Sequence, residues 1–118
     1  MATGKALLAQ DVRRTLEAAG CTKSYSWRSY NDRYGCSAGF RVHVSHIRGD
    51  QAVIVVYSAE GSLIHGNKLD RLSRYEIALK VQGFEVALEQ GTGQKRFSRE
   101  EYPWARLRVK RGTYEHPA

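Results

Sequence analysis

The stretch from Phe40 to Ser58, FRVHVSHIRGDQAVIVVYS, decides the fold of this chain. Its first part alternates apolar and polar side chains, so that Phe40, Val42 and Val44 share one side of an extended chain, as in a half-buried strand. Its second part is a continuous apolar run, which is typical of a strand near the centre of a sheet. Arg48-Gly49-Asp50 between them is turn chemistry. The stretch therefore predicts a β-hairpin.

Amphipathic helices flank this hairpin along the chain. Between Lys5 and Ala19 apolar residues recur at helical spacing, and Gly20 follows where a left-handed residue would end the helix. A second helical pattern runs from Lys68 to about Gln82 and stops at Gly83. Alternating segments predict further strands at Ser24–Tyr30 before the hairpin, and at Phe84–Glu89 and Ala105–Lys110 after the second helix.

The resulting order, α-β-β-β-α-β-β, predicts an α+β fold. We expect a two-layer sandwich in which an antiparallel sheet of four to five strands buries one face under two helices and leaves the other face open. A chain of 118 residues is long enough for one such core. We therefore expect a single domain over residues 1–112 and a flexible C-terminal tail over residues 113–118.

Composition restricts the partners. The chain carries 19 Lys and Arg against 12 Asp and Glu, a net charge of +7, which favours nucleic acid or an acidic protein. The longest apolar run, Ala52–Tyr57, is too short to cross a bilayer, and the N-terminus leads into a helix pattern rather than an apolar signal core. We therefore expect a cytoplasmic protein without a membrane partner. In that compartment Cys21 and Cys36 are expected as free thiols, although one disulfide stays open.

The layout from Lys5 to Gln82, a helix, three strands and a helix, resembles a double-stranded-RNA-binding domain in topology. That family grips phosphates with a Lys-rich cluster at the start of its second helix. The corresponding place here holds Lys68, Arg71 and Arg74, interrupted by Asp70. The resemblance therefore implies the topology but leaves that phosphate site in doubt.

Across nearly the whole chain, the sequence resembles short uncharacterised α+β proteins of actinobacteria and their phages. The shared features are a first helix that ends in Ala18-Ala19-Gly20 and a step from helix through glycine to an aromatic strand at Leu79–Val86. A short C-terminal strand follows. This resemblance implies a phage or actinobacterial accessory protein and no known activity.

Cations spaced by two residues form the first candidate site. They lie on the polar sides of two predicted strands and comprise Arg41 and His43, and Arg106, Arg108 and Lys110. Such residues can form one basic sheet face, and an array of this kind neutralises neighbouring phosphates while releasing counterions. Glu85 and Glu89 lie on the polar side of the preceding strand, so a cross-strand ladder of ion pairs that needs no ligand is equally compatible with the pattern.

Aromatic and basic residues alternate in a second candidate site. This site, the aromatic and basic loop, lies between Tyr25 and Tyr34. We expect Arg28 and Tyr30 to point outward and Arg33 and Tyr34 to lie in the loop, where the four residues suit base stacking beside phosphate contacts. Tyr25 and Trp27 share the opposite side of the strand, and we expect them to point into the core. The segment Asn31–Gly35 is expected to be a turn.

Three apolar residues suggest a protein interface. Ile77 and Val81 fall outside the apolar stripe of the second helix, which predicts that they bury surface against a second contact, either a partner or another copy of the chain. Trp104, in Tyr102-Pro103-Trp104, either joins that interface or fixes the last strand to the core.

The sequence lacks the patterns of known catalytic chemistry. It contains no glycine-rich phosphate loop, nucleophile elbow or paired-carboxylate motif. Cys21, Cys36, His43 and His46 are suitable zinc ligands, but no pair has the short Cys-x-x-Cys spacing. We therefore expect a protein that is not an enzyme and binds no metal or other cofactor. Arg48-Gly49-Asp50 matches an integrin-binding tripeptide, but we interpret it as the hairpin turn.

These observations leave two hypotheses. The first is a small accessory protein that binds DNA or RNA through the cationic sheet face and the aromatic and basic loop. The second is a phage-type interaction module or inhibitor that docks on a host protein complex through Ile77, Val81 and Trp104. The charge pattern favours the first, and a homodimer is compatible with both.

Overall fold

The computed structural model describes residues 4–28, 34–58, 65–94 and 101–112. The elements in chain order are helix α1 (Gly4–Ala18), strands β1 (Ser26–Arg28), β2 (Tyr34–Cys36), β3 (Gly39–Val44) and β4 (Val53–Ser58), helix α2 (His65–Val81), and strands β5 (Glu85–Gln94) and β6 (Glu101–Lys110). The predicted tail, residues 113–118, lies outside the described residues.

The main sheet has four antiparallel strands in the order β3-β4-β6-β5. Helix α1 packs on β3 and β4, and α2 packs on β4, β5 and β6, so both helices lie on the same side of the sheet. The predicted α+β fold is therefore confirmed. The hairpin between β3 and β4, predicted from Phe40–Ser58, is also present, with Val42 opposite Val55.

The first predicted strand lies elsewhere than expected. Among the described strands β1 pairs with β2 alone, in a separate two-stranded sheet, and Tyr34 and Gly35 belong to β2 rather than to a turn. The edge of β3 is instead bonded to the segment just before β1, where Phe40 N donates to Thr22 O and Ser24 N donates to Phe40 O, both at 2.9 Å. These bonds occupy the start of the β3 edge, at which β1 would otherwise have paired.

Gly39 permits this close approach. A Cβ atom at position 39 would lie 2.6 Å from Ser24 N, closer than real Cβ contacts come. Because the obstructing atoms belong to the backbone, they cannot move away as a flexible side chain could. Glycine is therefore required where the Thr22–Ser24 segment crosses β3.

The core fills the space between the helices and one face of the sheet. Its largest fully buried side chains are Leu16 of α1, Leu72 and Leu79 of α2, Phe40 of β3 and Leu107 of β6, together with valines from α1, β4 and β6. The rings of Phe40 and Tyr75 pack edge to face, with 6.0 Å between their centroids. Each fully buried side chain of this size contributes about 1.5–3 kcal/mol.

The loop of the β3–β4 hairpin is held by the carboxylate of Asp50. Ser45 Oγ donates to Asp50 Oδ2 at 2.6 Å, Ala52 N donates to Oδ1 at 3.2 Å, and the Arg108 guanidinium pairs with the same carboxylate. These hydrogen bonds lower the pKa of Asp50 to about 2, and the bond from Ser45 has the largest effect. With Gly49 at a φ of 81°, Arg48-Gly49-Asp50 forms the turn of the hairpin. The carboxylate of Asp50 is buried and bound within the chain.

Several element bounds differ from those expected. Helix α2 begins at His65, three residues before the expected start, and β5 and β6 are ten residues each because their pairing continues to Gln94 and Glu101.

Within the described ranges, neither helix is long and apolar enough to cross a membrane.

Candidate functional site

The sheet has a second face, which points away from the helices and which we call the open face. Its side chains alternate with those of the core along each strand. They are Arg41 and His43 on β3, Ile54 and Val56 on β4, Trp104, Arg106, Arg108 and Lys110 on β6, and Glu85, Ala87, Glu89 and Gly91 on β5. The two groups of cations predicted from the sequence are therefore on the same face.

The strand register aligns these groups across the sheet. His43 is opposite Ile54, Ile54 is opposite Arg108, and Arg108 is opposite Ala87. The basic side chains of β3 and the cations of β6 are thus separated by β4, a distance of about 10 Å for two strand spacings. Because β4 contributes Ile54 and Val56, a half-buried apolar strip runs between two rows of cations.

The two arginines of β6 already have carboxylate partners. Arg106 Nε donates to Glu89 Oε1 at 2.8 Å, and the two side chains are 40% and 34% exposed. Arg108 pairs with Asp50 and not with Glu85 or Glu89. The predicted ladder is therefore correct for one pair, whereas the second pair uses an acid 58 residues away in the chain that the sequence pattern did not indicate.

Lys110 differs from these arginines. It is exposed, and its register partner on β5 is Glu85, yet within the described residues it makes no ion pair. His43 is also exposed and, among the described residues, has no carboxylate partner. These two side chains keep their positions on the open face without being committed to an internal ion pair.

Trp104 lies on the open face and not in the core. A Cβ at Gly91, its register partner, would lie 2.5 Å from Cζ2 of the indole, so the ring covers this glycine. The Arg106 guanidinium carbon is 5.2 Å from the ring centroid, a cation–π contact. The half-buried ring is absent from the core cluster, so the interpretation that it fixes β6 to the core is wrong.

A groove of about 320 Å³ along β3 adjoins the open face. Basic side chains from three parts of the chain line it: Arg13 of α1, Lys23 of the following segment, and Arg41 and His43 of β3. No carboxylate of the described residues lines the groove. Arg13 Nη2 donates to Val42 O at 3.2 Å and Arg41 Nε donates to Ser24 Oγ at 3.3 Å, so both guanidinium groups are held in place.

Sequence reasoning missed Arg13 and Lys23. Arg13 was recognisable as part of the polar face of the first helix, but its position next to Arg41 depends on how α1 packs on β3. Lys23 reaches the groove because its segment runs beside Phe40 through a parallel bridge. Neither relation has a local sequence signal.

The structure describes only part of the aromatic and basic loop. Tyr30 and Arg33 lie outside the described residues, as do the side chains of Arg28 and Tyr34, whose backbones pair between β1 and β2. Tyr25, expected in the core, is 63% exposed. The reason is that its segment leaves the main sheet, so that its alternation no longer relates to that sheet's core.

The exposed apolar pair of α2 lies on the other side of the molecule. Ile77 and Val81 are 61% and 74% exposed, so the expectation that they bury surface is not met within the chain. They lie on the side of α2 away from the sheet, whereas Trp104 lies on the open face. The second hypothesis assumed that these three residues form one interface. They lie on different sides of the molecule and therefore do not share one surface.

The remaining reactive groups of the described residues show no activated site. Cys21 is a free thiol, as expected, and burial raises its pKa, which is the opposite of an activated thiolate. The Cys36 side chain lies outside the described residues. Among the side chains that the structure describes, no three His, Cys, Asp or Glu residues are grouped so that they could hold a metal ion.

Compared with known protein families, curated proteins and solved structures, the chain matches none. Its function is therefore inferred from the open face itself. A strip of apolar side chains, a half-buried indole and cations on both sides suit a ligand that carries planar apolar groups along an anionic backbone.

Proposed function

We propose that this protein is a small, non-enzymatic accessory protein that binds nucleic acid, either DNA or RNA, through the open face and the adjoining groove along β3. The observation that carries the proposal is the groove, where cations from α1, β3 and the segment between them converge without a carboxylate among the described lining residues. Several basic side chains placed side by side can contact neighbouring phosphates of a polyanion.

The basic side chains divide into two sets with different tasks. Arg106 and Arg108 are neutralised by Glu89 and Asp50 and hold the sheet together. Lys23, His43 and Lys110 have no carboxylate partner among the described residues, and they supply the phosphate contacts. The net charge of +7 adds a long-range attraction for any polyanion.

A binding assay at two salt concentrations tests this division. We would titrate the double variant Lys23→Ala/Lys110→Ala into labelled single-stranded and duplex oligonucleotides and measure their fluorescence anisotropy. The matched control is Arg74→Ala/Lys80→Ala, which also removes two charges, from the exposed surface of α2. Both proteins would be compared with the parent chain.

The first double variant should weaken binding and reduce the slope of log affinity against log salt by about 1.4, or 0.7 per lost contact to a single strand. The control should keep the parent slope. Equal slopes for the two variants would mean that only overall charge matters and would refute the site. Absence of binding to every oligonucleotide would refute the function.

The exposed pair Ile77 and Val81 supports a second candidate, a protein-interaction module that docks on a host protein. Val81 also lines a groove of about 390 Å³ between the helices, together with the small residues Ala18, Ala19 and Ala78. This candidate predicts that Ile77→Lys abolishes partner binding and leaves nucleic-acid binding unaffected.

A further inference from the structure

We propose that the nucleic acid bound on the open face is single-stranded and that one of its bases stacks on the indole of Trp104. This inference rests on the proposed function and specifies its ligand. It is carried by the position of Trp104, by the apolar strip of β4 and by the width of the sheet.

The major groove of a B-DNA duplex does not admit the centre of this face. Four strands place the outer backbones about 14 Å apart, before any side chain is counted. The major groove of B-DNA is about 12 Å wide and admits one helix or a two-stranded ribbon, so a four-stranded face stays outside it. A duplex would therefore present phosphates and sugars, and Ile54 and Val56 would have no apolar partner.

A single strand can turn its bases onto the same surface. Unstacked bases offer flat apolar faces, and proteins bind them on aromatic side chains beside cationic tracks for the phosphates. Here the apolar strip of Ile54 and Val56 lies between the β3 cations and the β6 cations. Bases over the strip leave the phosphates free to reach His43 on one side and Lys110 on the other.

The indole is fixed on the open face by its neighbours on β5 and β6. Gly91 lets the ring lie against β5, since a Cβ there would be 2.5 Å from Cζ2 and 2.7 Å from Cε2. The Arg106 guanidinium, itself fixed by Glu89, is 5.2 Å from the ring centroid. An aromatic ring over a glycine of an edge strand can also stabilise a sheet without any ligand. The test must therefore separate stacking from this structural role.

Fluorescence of Trp104 gives that separation. The chain has two tryptophans, so Trp27→Phe leaves Trp104 as the sole tryptophan. This protein would be titrated with an oligothymidylate of about ten nucleotides and with a duplex of the same length. We expect the single strand to quench the indole emission and to bind at least about tenfold more tightly than the duplex.

Two variants connect the signal to affinity. Trp104→Ala should weaken single-strand binding by about 5- to 150-fold, the cost of one lost stacked base, and leave duplex binding unchanged. Gly91→Ala displaces the ring without removing it and should weaken single-strand binding in the same direction. Thr92→Ala, the next position on β5, is the matched control and should bind like the parent. Circular dichroism would show whether each variant is folded. If Trp104→Ala does not fold, Gly91→Ala provides the test of stacking.

Each result decides between the two claims. Equal affinity for single strand and duplex, with unchanged indole emission, would overturn the single-strand inference and leave the proposed function standing. Single-strand binding that Trp104→Ala and Gly91→Ala do not weaken would assign Trp104 to the sheet alone and would also overturn it. Failure to bind either oligonucleotide would remove the proposed function and the inference together.

Discussion

Replacing Arg106 by alanine should destabilise the sheet without removing a phosphate contact. The change removes the ion pair with Glu89 and the cation–π contact with Trp104. The pair is 40% and 34% exposed, so solvent screening limits it to about 0.2–1 kcal/mol. An exposed cation–π contact adds about 0.5–1 kcal/mol. We therefore expect a loss of about 1 kcal/mol in the free energy of unfolding, or about 4 °C in melting temperature.

Urea unfolding followed by far-ultraviolet circular dichroism measures this loss. A double-mutant cycle with Glu89→Ala isolates the coupling between the two side chains. Lys110→Ala is the control on the same strand, since it removes a cation that has no ion pair among the described residues, and its stability should change by less than about 0.5 kcal/mol. If Arg106→Ala and Lys110→Ala unfold alike and the cycle shows no coupling, the division of the β6 cations into structural and binding sets is wrong.

Three further outcomes follow from particular contacts. Gly39→Ala should lose more than about 1 kcal/mol of stability in urea unfolding, because the new Cβ would lie 2.6 Å from Ser24 N; an unchanged midpoint would contradict that close approach. The pKa of Asp50 is lowered from 3.8 to about 2, so its stabilising contribution is present above about pH 4 and is lost as the pH falls towards 2. Urea midpoints of Asp50→Asn should therefore depend less on pH in this window, and parallel pH profiles for the two proteins would exclude this source of acid sensitivity. Ile77→Lys should fold normally because Ile77 is 61% exposed, whereas Leu79→Lys should unfold the chain; circular dichroism would reveal the opposite pattern if the orientation of α2 were wrong.

The parts of the fold that local patterns determine could be predicted from the sequence. The helices and the β3–β4 hairpin follow from hydrophobic periodicity and from glycines at their ends. The separate pairing of β1 and β2 could not be predicted, because it depends on contacts of the Thr22–Ser24 backbone with Phe40 across the chain. A short alternating segment contains no information about which sheet it joins.

The candidate site shows the same limit. Trp104 has the same strand parity as Arg106 and Arg108, so alternation alone could have placed it on the open face. The partner of Arg108 could not be found this way, because Asp50 belongs to a distant hairpin loop. Arg13 reaches the groove only through the packing of α1 on the sheet. Charge patterns therefore predict faces, and tertiary packing decides which charges are neutralised.

The most direct test of the central claim is a nuclear magnetic resonance titration of the isotope-labelled chain with a single-stranded oligonucleotide. The claim predicts that the largest shift changes occur at the indole N–H of Trp104 and at the side chains of His43, Ile54 and Lys110. The outer surface of α2 around Ile77 should stay unchanged. Shift changes confined to α2, or no changes at saturating oligonucleotide, would contradict nucleic-acid binding on the open face.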